Sequence, residues 1–210
     1  METDETADLR EALKTVAVAL KRSGLPFALM GGYAAWARGG PEPSHDVDFL
    51  IAEEDAAEAA KFLAEEEGLN VVEPPEDWLF KVFTNGGMVD VIWRDSDRTA
   101  GRDLVERATV MQVLSVDMPV MPATELMVSK LNALDEHYCD LTMPLAVARA
   151  LREQIDWARV ERDVADNDFA AAVLFLLRRL GVIDRVEATQ PAGTATAAGK
   201  PGGAQGVDQG

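Results

Sequence analysis

Cysteine is almost missing from this chain. The only one is Cys139, so no internal disulfide framework can form, and the composition suits a reducing compartment. Histidine is nearly as scarce. With His45, His137 and one thiol, a zinc site built from several nitrogen and sulfur ligands has too few donors. No apolar run approaches the roughly 20 residues that cross a bilayer. The acidic start (Glu2, Asp4, Glu5) has none of the positive charge of a signal peptide. The expected location is the cytoplasm, with no membrane partner. Positive charge is also short: 20 Lys and Arg stand against 37 Asp and Glu, for a net charge of −17. Residues 1–77 alone carry 18 acids and 6 bases. Such a surface opposes the broad, salt-driven nucleic-acid binding that basic stripes support. Arg149, Arg152, Arg159, Arg162, Arg178 and Arg179 leave a local basic pocket open in the later part of the chain.

What is present begins with an amphipathic helix over residues 6–23, with Leu9, Leu13, Val16, Ala17 and Leu20 on one stripe and Gly24 as its stop. Pro26 then introduces an apolar strand, Phe27 to Met30, which runs into the pair Gly31-Gly32. A short helix from Tyr33 to Arg38 is closed by Gly39-Gly40, and a Pro-rich loop leads to Asp46-Val47-Asp48-Phe49-Leu50-Ile51, a second strand that opens with two acids. A surface helix follows over residues 53–67. Val71-Val72 reads as a short strand, and Trp78 to Phe83 with Met88 to Trp93 as a hairpin joined through Asn85-Gly86, a dipeptide suited to tight hairpin turns. Arg102 to Ala108 reads as a short helix. Residues 109–120 give one or two short strands, which Pro119 and Pro122 restrict to a sheet edge. Helices dominate from Thr124, read as an N-cap, through 125–134, 145–155, 157–164 and 169–180. Strands first and helices later imply an α/β (α+β) front part and a helical C-terminal part. The divisions expected are a core over 1–122, a helical part over 123–187 and a disordered tail over 188–210, whose Gly, Ala, Pro and Gln cannot bury enough apolar surface to fold.

The chemistry gathers at one place. Residues two apart in a strand share a face, so Asp46 and Asp48 sit side by side. Two carboxylates held that close repel unless a cation lies between them. Asp90 is a third acid inside an apolar strand, where Asp is disfavoured. Together the three predict a divalent-metal site. Gly31-Gly32, between a strand and a helix, predicts close backbone approach to a phosphate, and Ser44 borders the acid pair. Lys130, on the apolar helix 126–134, is either a solvated helix position or a partner for a phosphate or an acid in the site. The four tryptophans are read as core or pocket wall.

Strand, Gly31-Gly32, short helix, loop, Asp46-Val47-Asp48 and then Asp90 on a later strand resembles the minimal nucleotidyltransferase core of the DNA polymerase β superfamily over roughly residues 25–95. Gly31-Gly32-Tyr33-Ala34 with His45-Asp46-Val47-Asp48 is similar to the aminoglycoside and lincosamide nucleotidyltransferases. Lys130, its helix and the following Asp140 look more like AbiE-type toxins of toxin–antitoxin pairs, some of which modify tRNA ends. The resemblance implies a mixed β-sheet flanked by helices and an enzyme that moves an NMP from an NTP to an acceptor hydroxyl, releasing pyrophosphate. It implies Mg²⁺ on Asp46 and Asp48, with Asp90 completing a second metal site or taking the acceptor's proton. Gly31, Gly32, Ser44 and Lys130 would contact the phosphates. The acceptor expected first is RNA or a tRNA end, with a cognate antitoxin as partner. The alternatives are a small-molecule hydroxyl compound of the aminoglycoside or lincosamide type, or an inactive nucleotide- or partner-binding module.

Overall fold

A computed structural model describes residues 2–95 and 98–183 of the chain. The expected tail over 188–210 lies outside the described residues. The elements, in chain order, begin with α1 (Glu2–Ser23), β1 (Phe27–Met30), α2 (Gly31–Ala37), β2 (Val47–Ile51) and α3 (Ala56–Glu65), the last entered by a 3-10 turn over Glu53–Asp55. Next come β3 (Asn70–Val72), β4 (Leu79–Thr84), β5 (Gly87–Ile92), a small ribbon of β6 (Arg94–Asp95) with β7 (Arg98–Thr99), and α4 (Arg102–Val105). The described chain closes with β8 (Thr109–Val113), β9 (Val116–Val120), α5 (Ala123–Asn132), α6 (Thr142–Leu151), α7 (Trp157–Asp163) and α8 (Asp168–Arg179).

Seven strands form one mixed sheet in the order β3-β4-β5-β2-β1-β9-β8. β2 pairs antiparallel with β1 and parallel with β5, while β1 pairs parallel with β9. Every residue of β1 is buried, which explains a strand that is apolar throughout rather than alternating. On α1, Leu13, Val16, Ala17 and Leu20 are at most 1% exposed, so the stripe seen in the sequence is the face laid on the sheet. Burying each such leucine contributes about 2 kcal/mol. Gly24 ends α1 at φ +73. α1 crosses β4, β5 and β9 and touches α3, whereas α2 contacts β1, β2 and α5. Through that contact the helices α5 to α8 are joined to the strands. No helix among the described residues is long and apolar enough to cross a membrane.

Three local expectations differ from the structure. Gly31-Gly32 does not form a turn ahead of a helix but is the first turn of α2 itself. Pro119 is not on an edge: β9 has neighbours on both sides and β8 forms the edge, with rung-to-rung pairing to β1 confined to Leu29 and Val120. Thr124 is not the cap of α5, whose N-cap is Pro122. Its hydroxyl instead accepts from the Asp156 amide at 2.9 Å, tying the entry of α7 to α5.

Candidate active site

The site is built on one row of the sheet. Register places Met30 opposite Asp48, Asp48 opposite Asp90, and Asp90 opposite Lys81. Residues directly opposite in neighbouring strands project to the same face, so Asp48, Asp90 and Lys81 form a continuous polar line across β2, β5 and β4. Lys81 Nζ donates to Asp90 Oδ1 at 2.8 Å. The opposite-face neighbours Val47, Phe49, Val89 and Val91 are fully buried, which stiffens both strands beneath the acids. Asp46 lies just ahead of β2 and is exposed.

Burial, then the charges of Asp90 and Asp46, push the Asp48 carboxyl up to about 7, against the opposing pull of Lys130 and Lys81. Lys130, in the last turn of α5, has its ammonium disfavoured by burial, which the Asp48 carboxylate partly offsets. The row is therefore two carboxylates flanked by two cations, with a third carboxylate at its mouth. Among the described residues, no three His, Cys, Asp or Glu side chains converge into a closed metal cage. Mg²⁺ does not require one: it is commonly held by one or two carboxylates, with water and substrate phosphates completing the octahedron. Hard oxygen donors under mutual repulsion fit that ion.

The two glycines are explained by what lies against them. Gly31 has φ +63, and a Cβ there would overlap Asp48 Oδ2. A Cβ on Gly32 would sit 2.7 Å from Pro43. The pair thus lets the Asp48 carboxylate and the 40–46 loop pack onto the start of α2. Arg10 of α1 holds that loop from outside, donating from Nε to Glu42 at 2.8 Å while its guanidinium stacks 5.6 Å from the Trp36 ring centroid. Ser44, further along the loop, is exposed.

A family described as "Uncharacterised nucleotidyltransferase" matches residues 2–184. The chain belongs to that family. No curated protein matches this nucleotidyltransferase. Among solved structures it is similar to the antibiotic-resistance factor ANT(2″)-Ia. To the solution structure it is 16% identical with a TM-score of 0.55, over 86% of this chain and 100% of that one. To the crystal structure in complex with adenylyl-2″-tobramycin it is 15% identical with a TM-score of 0.51, over 80% and 97% of the two chains. At such identities the likeness establishes the shared fold.

The structure of the nucleotidyltransferase brings Asp48, Asp90, Gly31 and Lys130 together, places Asp46 and Gly32 beside them, and leaves Ser44 at the loop surface. It also adds Lys81, which reading the acids alone misses. The signal was nevertheless in the sequence. A two-residue Asn85-Gly86 turn, with φ +51 and +78, is the tight type that fixes hairpin register, and counting outward from it sets Lys81 against Asp90. An apolar cavity of about 440 Å³ at the far end of β1, lined by Leu25, Phe27, Val110 and Met118, shares no residue with this site.

Proposed function

We propose that this nucleotidyltransferase carries out Mg²⁺-dependent transfer of an NMP from an NTP to a hydroxyl of a cationic small molecule, with release of pyrophosphate. The observation behind the reaction is the row Asp48–Asp90 across two parallel strands, with Asp46 at its mouth and Gly31 against its floor. Asp46 and Asp48 would hold the ion. That ion would supply charge neutralisation for the group being transferred. Lys130 faces Asp48 from the helical side, where an ammonium stabilises triphosphate charge. Gly31 and Gly32 bring backbone within reach of the β- and γ-phosphates, and Ser44 offers a hydroxyl from the loop. Asp90 receives the proton of the acceptor hydroxyl as its oxygen attacks the α-phosphorus.

The acceptor class rests on charge. The chain carries −17 overall, which attracts cations and repels a phosphodiester backbone. Three of the six arginines that could serve an RNA are engaged within the protein: Arg159 with Glu125 and Asp163, Arg178 with Glu161, and Arg152 with Glu153. A cationic polyhydroxyl compound, aminoglycosides among them, suits this surface better than a tRNA end.

The test offers each NTP with Mg²⁺ to an aminoglycoside panel and, separately, to total tRNA, and reads products by mass spectrometry. A mass gain of one NMP on a small molecule supports the proposal. The same gain on tRNA alone would replace the acceptor class with the RNA reading.

A further inference from the structure

Lys81 is the one charged member of the row with no role so far. Its ammonium is 2.8 Å from Asp90 Oδ1, and the two side chains are only 27% and 19% exposed. Nor is the pair an accident of flexible side chains. β4 and β5 are locked in six consecutive rungs from Leu79–Ile92 to Thr84–Gly87, so Lys81 is delivered opposite Asp90 by backbone register.

Placing a second divalent ion on Asp90 would bring it against an ammonium already bound to the same carboxylate. At such separations like charges repel strongly once water is partly excluded. We infer that Lys81 takes the place of a second metal ion, so that the enzyme works with one Mg²⁺ on Asp46 and Asp48 while Asp90, oriented by Lys81, serves the acceptor. The inference rests on the nucleotidyltransferase site proposed above.

The step balances without a second ion. The acceptor O–H bond breaks and its proton passes to Asp90. The acceptor oxygen forms a bond to the α-phosphorus, and the bond from that phosphorus to the bridging oxygen breaks, its electron pair leaving with pyrophosphate. Lys81 acts through Asp90 as a positioning residue. Its positive charge also lies on the side where the attacking oxygen gains negative charge, the kind of preorganised stabilisation that lowers a barrier most effectively in a partly dry site.

The experiment counts ions. The full chain is saturated with Mn²⁺ and an α,β-methylene NTP, freed of excess by gel filtration, and assayed for bound Mn²⁺ by electron paramagnetic resonance. Wild type and Lys81→Arg should hold one ion per chain and Lys81→Met two, with transfer reduced on the order of 100-fold in Lys81→Met and largely restored in Lys81→Arg. Thermal melts within a few degrees of wild type establish that the variants are folded, and Lys81→Gln replaces Lys81→Met if the latter does not fold. Two ions on wild type, or one ion on both wild type and Lys81→Met, overturn the role of Lys81 and leave the metal site standing. No ion on wild type overturns the metal reading itself, and this inference with it.

Discussion

Asp48 and Asp90 face each other across adjacent parallel strands, and the position a Gly31 Cβ would take is filled by the Asp48 carboxylate. A half-buried acid, a like charge one strand away and a side-chain-free floor are costly to keep in a fold, and they become useful together only when something positive is bound.

The floor can be tested by adding one methyl group. Gly31→Ala must adopt φ +63 and displace Asp48 Oδ2. A left-handed non-glycine residue costs about 1–2 kcal/mol, and misplacing a reacting group by an ångström costs on the order of 10²-fold in rate. Gly39→Ala is the control: its φ is +103, but nothing lies within 4 Å of the added carbon. Gly39→Ala should lose stability and keep its kcat, whereas Gly31→Ala should lose both. Denaturant melts with steady-state kinetics would separate the two effects.

The repulsion can be relieved in either of two ways. Asp48→Asn removes a half-buried charge that desolvation, Asp90 and Asp46 disfavour, so in the absence of divalent ions the variant should melt higher than wild type at pH 8. Adding Mg²⁺ with a nonhydrolysable NTP should raise the wild-type Tm and leave that of Asp48→Asn unchanged. Differential scanning fluorimetry reads both shifts. A variant that melts lower than wild type without ions would contradict the charge argument.

Glu125 sets the acid limit of the helical part. Its side chain is 3% exposed, and Oε1 accepts from Arg107 at 2.8 Å and Arg159 at 2.6 Å. Burial alone would raise its carboxyl, but the bonds from Arg107 and Arg159 outweigh that and hold it below its ordinary value of 4.5. A depressed acid contributes stability above its unfolded pKa and loses it as pH falls through the folded one. Wild type should therefore weaken below about pH 4.5, and Glu125→Gln should lack this component. Because the arginines are 40% and 30% exposed, removing the charge at pH 7 should cost about 2 kcal/mol, less than for a fully buried pair. Urea melts at pH 3.5, 5 and 7 provide the comparison.

Much of this could be read from the residues, because strong local signals agreed with the tertiary structure. The stripe from Leu9 to Leu20, the strand ahead of Gly31 and the Asn85-Gly86 hairpin all appear where the pattern places them. Asp48 and Asp90 converge as their shared character suggested. Pro119 misled because the missing amide matters only where a strand needs that rung, and β9 meets β1 at Val120 instead. Thr124 misled because a hydroxyl near a helix start can serve a partner distant in sequence, here the Asp156 amide. Lys81 has no local signature because a lysine in a strand ordinarily points to solvent; only the hairpin register turns it toward the acids. The grip of Arg10 on Glu42 joins residues 32 apart and has no local signature.

We propose that Asp46 and Asp48 together carry the metal-dependent NTP chemistry of this site. The most direct measurement is pyrophosphate release from NTP with Mg²⁺ and an aminoglycoside mixture, comparing wild type with folded Asp46→Ala and Asp48→Ala. Turnover in wild type that vanishes with EDTA, and falls at least 10³-fold in each variant, is the predicted result. Equal release by wild type and both variants would contradict it.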